Sequence, residues 1–221
     1  MRLPTLPVVK ICCISSIEEA QLAISVGASA LGLVSSMPSG PGVIPDDCIA
    51  AIAATVPPPI ATFLLTAKQN ATSIVEQHRY CRTSTIQFVD RVPHQDLRVI
   101  RDELPGISLV QVIHMTGEDS IAEARAVAPF VDALLLDSGN QSLAVKELGG
   151  TGRTHDWTLS RTIRQSVVTP VFLAGGMGAD NVAAAIAAVE PFGLDLCSRV
   201  RTDGKLDASK LRAFFEAVRN S

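Results

Sequence analysis

The chain has 221 residues, of which 47% are hydrophobic and 19% are charged, and its formal net charge is −3. This composition is typical of a folded globular protein, and the length suits one large α/β domain better than two. The slightly acidic balance argues against a nucleic-acid-binding protein. No apolar run approaches the roughly 20 residues that a membrane-spanning helix needs.

The N-terminus and the cysteines indicate a cytoplasmic protein. The opening sequence MRLPTLPVVK leads directly into a predicted strand and lacks the long apolar region of a signal peptide. The five cysteines are irregularly spaced and odd in number, which favours reduced thiols over a disulfide framework. No two histidines have metal-ligand spacing, so we predict no metal site.

Strands and helices alternate eight times along the chain. Apolar runs predict strands at residues 8–12, 30–34, 60–64, 85–89, 109–113, 133–137, 171–174 and 193–196. Ser15 and Glu18 fit a capping box for a first helix that ends near residue 26. Further helices are predicted at about 45–55, 70–79, 95–104, 120–127, 156–166, 180–189 and 208–220.

Buried strands that are each followed by a helix predict an α/β protein with a parallel sheet. Eight such units in a chain of this length predict a single (β/α)₈ TIM-barrel domain over residues 1–221. A doubly wound sheet is the alternative. Gly150 and Gly152 suggest a dinucleotide-binding turn, but the third glycine of that motif is missing and a long loop precedes them.

Two strand ends predict a phosphate-binding cup. The runs FLAGGM at 172–177 and LDLCSRV at 194–200 each change abruptly from apolar to small residues before an amphipathic segment. Gly175 and Gly176 let an anion approach the backbone, and a helix N-terminus favours negative charge. Ordinary strand-to-helix turns are the alternative interpretation.

Cys12 and Asp137 are the candidate catalytic residues because both end a predicted strand, where barrel enzymes place their active sites. Strand alternation puts Lys10 on the face of Cys12 and directs Cys13 the other way. A thiol acts as a general base when a cation favours the thiolate, and Lys10 is the candidate cation. A partly buried carboxyl group suits a general acid. The alternatives are a small buried hydrophobe at Cys12 and a cap at Asp137.

Taken together, the motifs resemble the phosphoribosylanthranilate isomerase family. They are KIC at 10–12, LLLDS at 134–138, GGTG at 149–152, DW at 156–157, FLAGGM at 172–177 and PFGLDLCS at 191–198, in order and across nearly the whole chain. That family is a (β/α)₈ barrel that performs an Amadori rearrangement in tryptophan biosynthesis without a cofactor.

The resemblance implies roles for individual residues. Cys12 would take a proton from the sugar C2′, and Asp137 would protonate the ring oxygen so that the furanose opens to a Schiff base. The loop at 149–152 would close over the substrate. The implied phosphate- and substrate-binding residues, with Lys10 included as a neighbour of the base, are Lys10, Gly150, Gly152, Gly175, Gly176, Ser198 and Arg199.

The chain departs from the family pattern at four positions. Cys13 replaces the glycine of KICG, and Gly42 stands where the family carries an arginine after the second strand. Arg199 and Arg201 replace the glycine and the acid of SGVE. The Arg199 guanidinium group either binds a phosphate through two hydrogen bonds or itself occupies the phosphate-binding cup.

We therefore expect a cofactor-free isomerase of the aldose–ketose type that acts on a small phosphorylated sugar, as a monomer or homodimer. The alternatives are a paralogue for another phosphorylated or aminated sugar, and a barrel that binds a phosphorylated metabolite without turnover. Among the remaining residues, we expect His114 and His155 as possible ligand contacts and Trp157 as a packing residue. We expect inert thiols at Cys48, Cys81 and Cys197 and solvated side chains at His78 and His94.

Overall fold

The computed structural model describes residues 6–139 and 154–221 and contains a closed barrel of eight parallel strands in the order β1 to β8. The strands are β1 Val8–Ile11, β2 Ala30–Val34, β3 Ala61–Thr66, β4 Thr85–Phe88, β5 Ser108–His114, β6 Ala133–Asp137, β7 Val171–Leu173 and β8 Gly193–Leu196. The barrel closes where β1 pairs with β8, with Val8 opposite Gly193 and Ile11 opposite Leu196. The predicted fold class is confirmed.

Eight α-helices within the described ranges surround the barrel. They are α1 Ile17–Val26, α2 Asp46–Ala53, α3 Ala71–Cys81, α4 His94–Glu103, α5 Asp119–Val127, α6 Trp157–Ser166, α7 Val182–Val189 and α8 Ala208–Arg219. Short 3₁₀ turns follow α5 and β8, and a small hairpin pairs Arg201–Thr202 with Lys205–Leu206 ahead of α8. Successive parallel strands are joined by crossover connections that place helices over the sheet. Strands buried in this way appear in the sequence as short apolar runs, which is why they could be predicted.

The core has two layers because successive strand residues point to opposite faces. Leu31 and Leu33 of β2 face the surrounding helices and belong to the larger apolar cluster. Phe63 and Phe172 point into the barrel, where their rings meet edge to face at 6.1 Å. The barrel interior is therefore filled by side chains, and open space is left at the mouth.

The cap of α1 lies one residue later than the sequence predicted. Ser16 is the N-cap and its Oγ accepts a hydrogen bond from the Glu19 amide, while the Glu19 carboxylate accepts from the amide and hydroxyl of Ser15. The predicted pairing of Ser15 with Glu18 is therefore wrong. The same Glu19 carboxylate pairs with Arg201 at 2.8 Å, which ties the start of α1 to the hairpin before α8.

His78 is also placed differently from the prediction. Its side chain is buried at the end of α3, and Nε2 lies 2.7 Å from the carbonyl oxygen of Thr83. Burial lowers the pKa of His78, which favours the neutral imidazole. His94 is exposed as predicted and stacks on Phe130 at 4.2 Å. Within the described ranges, no helix is long and apolar enough to cross a bilayer.

Candidate active site

A cavity of about 650 Å³, counted with its open mouth, lies at the carboxyl ends of the strands. Its wall combines residues of β2, β3, β4, β6 and β8 with the segments that follow β1, β2, β7 and β8. It includes Cys12 and Asp137, as well as residues 174–177 after β7 and 195–199 at the end of β8. The two candidate catalytic residues and both halves of the predicted cup thus share one cavity.

Cys12 and Asp137 are both buried, so packing against neighbouring residues restricts the positions of their side chains. The two residues are 7% and 8% exposed, and both line the cavity. The Oδ1 atom of Asp137 accepts a hydrogen bond from the Ser138 amide at 2.7 Å. His114 lies opposite Asp137 on β5, but its Nε2 is 2.9 Å from the Val89 carbonyl oxygen and it does not line the cavity.

Lys10 lies beneath the cavity floor, fully buried, with Nζ 2.8 Å from Oδ1 of Asp195 on β8. Burial disfavours both charges and raises the pKa of Asp195. The pKa of Lys10 is nevertheless raised above its ordinary value, because the attraction of Asp195 and then of Cys12 outweighs burial. The short Nζ–Oδ1 contact favours the ionised pair, so Lys10 places a positive charge next to Cys12 and is not itself part of the cavity wall.

The turn after β7 has the geometry of an anion site. Gly175 and Gly176 adopt φ angles of 88° and 61°, the left-handed region that favours glycine. Within the described part of the chain, their amide groups donate no hydrogen bond. The Asn181 side chain fixes the turn by accepting from the Gly178 amide and donating to the Gly176 carbonyl oxygen. Ser198 begins the 3₁₀ turn on the other side of the cavity.

Arg199 lies at the rim and connects the two sides of the cup. One of its guanidinium nitrogens donates to the Gly176 carbonyl oxygen at 3.2 Å, and another pairs with Asp180 at 2.9 Å. The side chain is 39% exposed. Arg199 therefore lines the cavity at its rim, with its guanidinium paired to Asp180.

Three of the four departures from the family pattern are physically connected. Cys13 follows the end of β1 with a φ of 61°, so strand alternation no longer applies and its side chain faces the cavity. The prediction that Cys13 points the other way is wrong. A side chain at Gly42 would place its Cβ 2.9 Å from the Cys13 Cα, so position 42 must stay small. Arg201 donates to the Cys13 carbonyl oxygen at 2.6 Å and stabilises this turn.

We expect Gly42→Ala to destabilise the protein by about 2–4 kcal/mol, through the left-handed backbone and the clash with Cys13. In a Cys13→Gly background the loss should be smaller by about 1 kcal/mol, because the contacts with the Cys13 side chain are removed. The left-handed backbone and the close contact with the Cα of residue 13 remain. Gly106→Ala is the matched control, since Gly106 has a φ of 87° and nothing within 4 Å of an added Cβ. Urea unfolding compares Gly42→Ala and Gly106→Ala with the wild type, and Cys13→Gly/Gly42→Ala with Cys13→Gly. Equal losses from Gly42→Ala in both backgrounds would contradict the connection between residues 13 and 42.

Gln87 is a cavity residue that the sequence analysis did not identify. Its side chain is 3% exposed and lines the cavity, and Oε1 has no hydrogen-bond partner within the described ranges. A buried amide oxygen that faces a cavity is suited to accept a hydrogen bond from a ligand. The available signal was a glutamine between apolar residues in the run IQFV at 86–89.

The remaining predicted residues fall partly outside the cavity. Gly150 and Gly152 lie outside the described residues. His155 is half-buried, its Nε2 lies 2.7 Å from the Ser160 hydroxyl, and burial lowers its pKa. Trp157 packs against the core, as predicted. Cys48 is exposed and Cys81 is buried, whereas the Sγ of Cys197 lies 2.7 Å from that of Cys13.

Comparison with known proteins gives a consistent result. Residues 9–217 match the family model described as N-(5′-phosphoribosyl)anthranilate (PRA) isomerase. A protein of that name from Methanocella arvoryzae is 35% identical over 96% of this chain and 97% of its own length. The Haloferax volcanii protein of the same name is 34% identical over 96% of this chain and 93% of its own length.

Solved structures support the same grouping. The crystal structure of phosphoribosyl anthranilate isomerase from Thermotoga maritima superposes with a TM-score of 0.83 and 25% identity, covering 97% of this chain and all of that one. A phosphoribosyl anthranilate isomerase in complex with reduced 1-(o-carboxyphenylamino)-1-deoxyribulose 5-phosphate has the same fold, with a TM-score of 0.81 over 97% of this chain. Together with the family match over most of its length, these findings show that the chain belongs to the N-(5′-phosphoribosyl)anthranilate isomerase family.

Proposed function

We propose that this isomerase converts N-(5′-phosphoribosyl)anthranilate to its 1-amino-1-deoxyketose isomer, with Cys12 as the general base and Asp137 as the general acid. The observation that carries the proposal is the shared cavity, which is lined by Cys12, by Asp137 and by the glycine turn after β7. Membership of the family and the fold of its solved relatives support the substrate. The reaction is a step of tryptophan biosynthesis.

The proposed chemistry begins at the ring oxygen of the ribose. Asp137 donates a proton to that oxygen, the C1′–O bond breaks, and the nitrogen lone pair forms the C1′=N Schiff base. The Cys12 thiolate then removes the C2′ proton, which gives an enolamine. Tautomerisation of the enolamine to the C2′ ketone completes the isomerisation. Hydrogen moves from C2′ to C1′ within one molecule, so no external oxidant or reductant is consumed.

The surrounding residues would position the substrate and favour the charged states. The amides of Gly175 and Gly176 would bind the 5′-phosphate, assisted by the positive charge of Arg199 at the rim. Lys10 would act through its charge beneath Cys12 rather than by touching the phosphate. The deoxyribulose 5-phosphate derivative named as the ligand of one solved phosphoribosyl anthranilate isomerase supports a phosphorylated ligand for this chain.

A turnover assay tests the proposal. Phosphoribosylanthranilate is generated in place and its disappearance is followed with the wild type and with a Cys12→Ser/Asp137→Asn double variant. We expect turnover by the wild type and none above background by the folded double variant. Absence of turnover by a folded wild type that still binds inorganic phosphate would refute the proposed substrate.

One observation favours a second candidate, a paralogue for a different phosphorylated or aminated sugar. Gly42 removes the arginine that the family pattern places after the second strand, and the Cys13 side chain takes up the adjacent space. A thermal-shift screen in which only non-aromatic phosphosugars raise the Tm would support this candidate. Three further predictions come from the sequence. The chain forms one domain over residues 1–221, it is located in the cytoplasm, and it is a monomer or a homodimer.

A further inference from the structure

We propose that Cys13 and Cys197 form a reversible disulfide, which makes this thiol pair a site of oxidative modification next to the catalytic base. The two Sγ atoms lie 2.7 Å apart although the residues are 184 positions apart in sequence. They lie at the ends of β1 and β8, which pair directly and close the barrel. A disulfide needs side chains that already face each other on nearby backbones, and this condition is met.

The local backbone is arranged to bring the Cys13 thiol to this position. A residue other than glycine at a φ of 61° is uncommon, and here that conformation turns the side chain from the strand direction toward Cys197. Gly42 supplies the necessary space on the opposite side, since any Cβ there would clash with Cys13. Arg201 holds the turn by donating to the carbonyl oxygens of Cys12 and Cys13. The residues at positions 42 and 201 are thus compatible with a thiol at residue 13.

The electrostatic environment distinguishes the two thiols. The hydrogen bond from Cys13, and then the charges of Arg201 and Lys10, lower the pKa of Cys197 despite its burial. Hydrogen bonds to Cys12 and Cys197, together with burial, raise the pKa of Cys13. Cys197 is also the more accessible of the two, being half-buried where Cys13 is buried, and both line the open cavity. Cys197 is therefore suited to react first and Cys13 to complete the bond.

A hydroperoxide is the chemical class of oxidant that fits this arrangement. With hydrogen peroxide, the Cys197 thiolate attacks one peroxide oxygen, the O–O bond breaks, and the other oxygen leaves as water after taking up a proton. An organic hydroperoxide would release its alcohol at this step instead. The resulting sulfenic acid is attacked by the Cys13 sulfur, which loses its proton, and a second water leaves as the S–S bond forms. The two sulfurs give up two electrons in total, and the peroxide accepts them.

The test uses the full chain and reads mass rather than activity, so its outcome does not depend on the proposed reaction. The reduced protein is treated with hydrogen peroxide, quenched, denatured, alkylated and digested. We expect two of the five cysteines to escape alkylation, a peptide cross-link between residues 13 and 197, a higher Tm than that of the reduced protein, and full reversal by dithiothreitol.

Single cysteine-to-serine substitutions identify which two cysteines form the cross-link. Cys13→Ser and Cys197→Ser should each abolish it, whereas Cys48→Ser, at an exposed position, should leave it unchanged. Cys12→Ser should also retain it, because Cys12 is not a partner in the bond. Alkylation of all five cysteines after peroxide treatment would overturn the proposal. A cross-link that contains Cys12 or Cys48 in place of either partner would overturn it equally.

Discussion

Cys12→Ser is expected to lower kcat by about 10²–10⁴-fold, the usual contribution of a positioned general base. Serine nearly preserves the shape of cysteine, but its hydroxyl does not ionise near neutral pH and so cannot take the C2′ proton. The anion site after β7 is not altered, so KM should change little. Steady-state kinetics with phosphoribosylanthranilate generated in place measures both constants.

Two controls separate loss of the base from loss of structure. Cys48→Ser removes an exposed thiol on α2 and should leave kcat and KM as in the wild type. The unfolding transition of Cys12→Ser should remain cooperative, because serine nearly preserves the shape of cysteine at this buried position. A folded Cys12→Ser protein with wild-type kcat would show that another residue is the base.

The barrel could be predicted from the sequence because its signals are local. Strands buried on both faces appear as short apolar runs, and each of the eight predicted strands overlaps an observed one. The predicted cup also depended on local features, since glycines at the end of an apolar run indicate a tight turn. Cys12 and Asp137 followed from the rule that barrel active sites lie at the carboxyl ends of the strands.

The incorrect predictions concern contacts between residues that are distant in sequence or ambiguous in register. The run SSIEE contains two possible capping boxes, and the pairing of Glu19 with Arg201 identifies the one that forms. The direction of Cys13 depends on a single left-handed residue, and its contact with Cys197 spans the length of the chain. Neither the direction of Cys13 nor its contact with Cys197 can be predicted from the residue periodicities of 2 and 3.6 that indicate strands and helices.

The pairing of Lys10 with Asp195 is another long-range contact, and Lys10→Met is expected to reduce the free energy of unfolding by about 3–5 kcal/mol. The substitution leaves the Asp195 carboxylate buried without its partner, 2.8 Å from where Nζ had been. Urea unfolding measures the loss. Arg79→Ala, which breaks an ion pair whose side chains are 59% and 52% exposed, is the control and should lose less than about 1 kcal/mol.

The double variant Lys10→Met/Asp195→Asn distinguishes a lost attraction from an uncompensated charge. Because asparagine carries no charge to desolvate, we expect the double variant to be more stable than Lys10→Met alone. Strictly additive losses in the cycle would contradict the ion pair. Lys10→Met should also slow turnover while leaving phosphate affinity unchanged, since Lys10 lies under Cys12 and outside the cavity wall. A weaker phosphate affinity with unchanged kcat would instead assign Lys10 to the anion site.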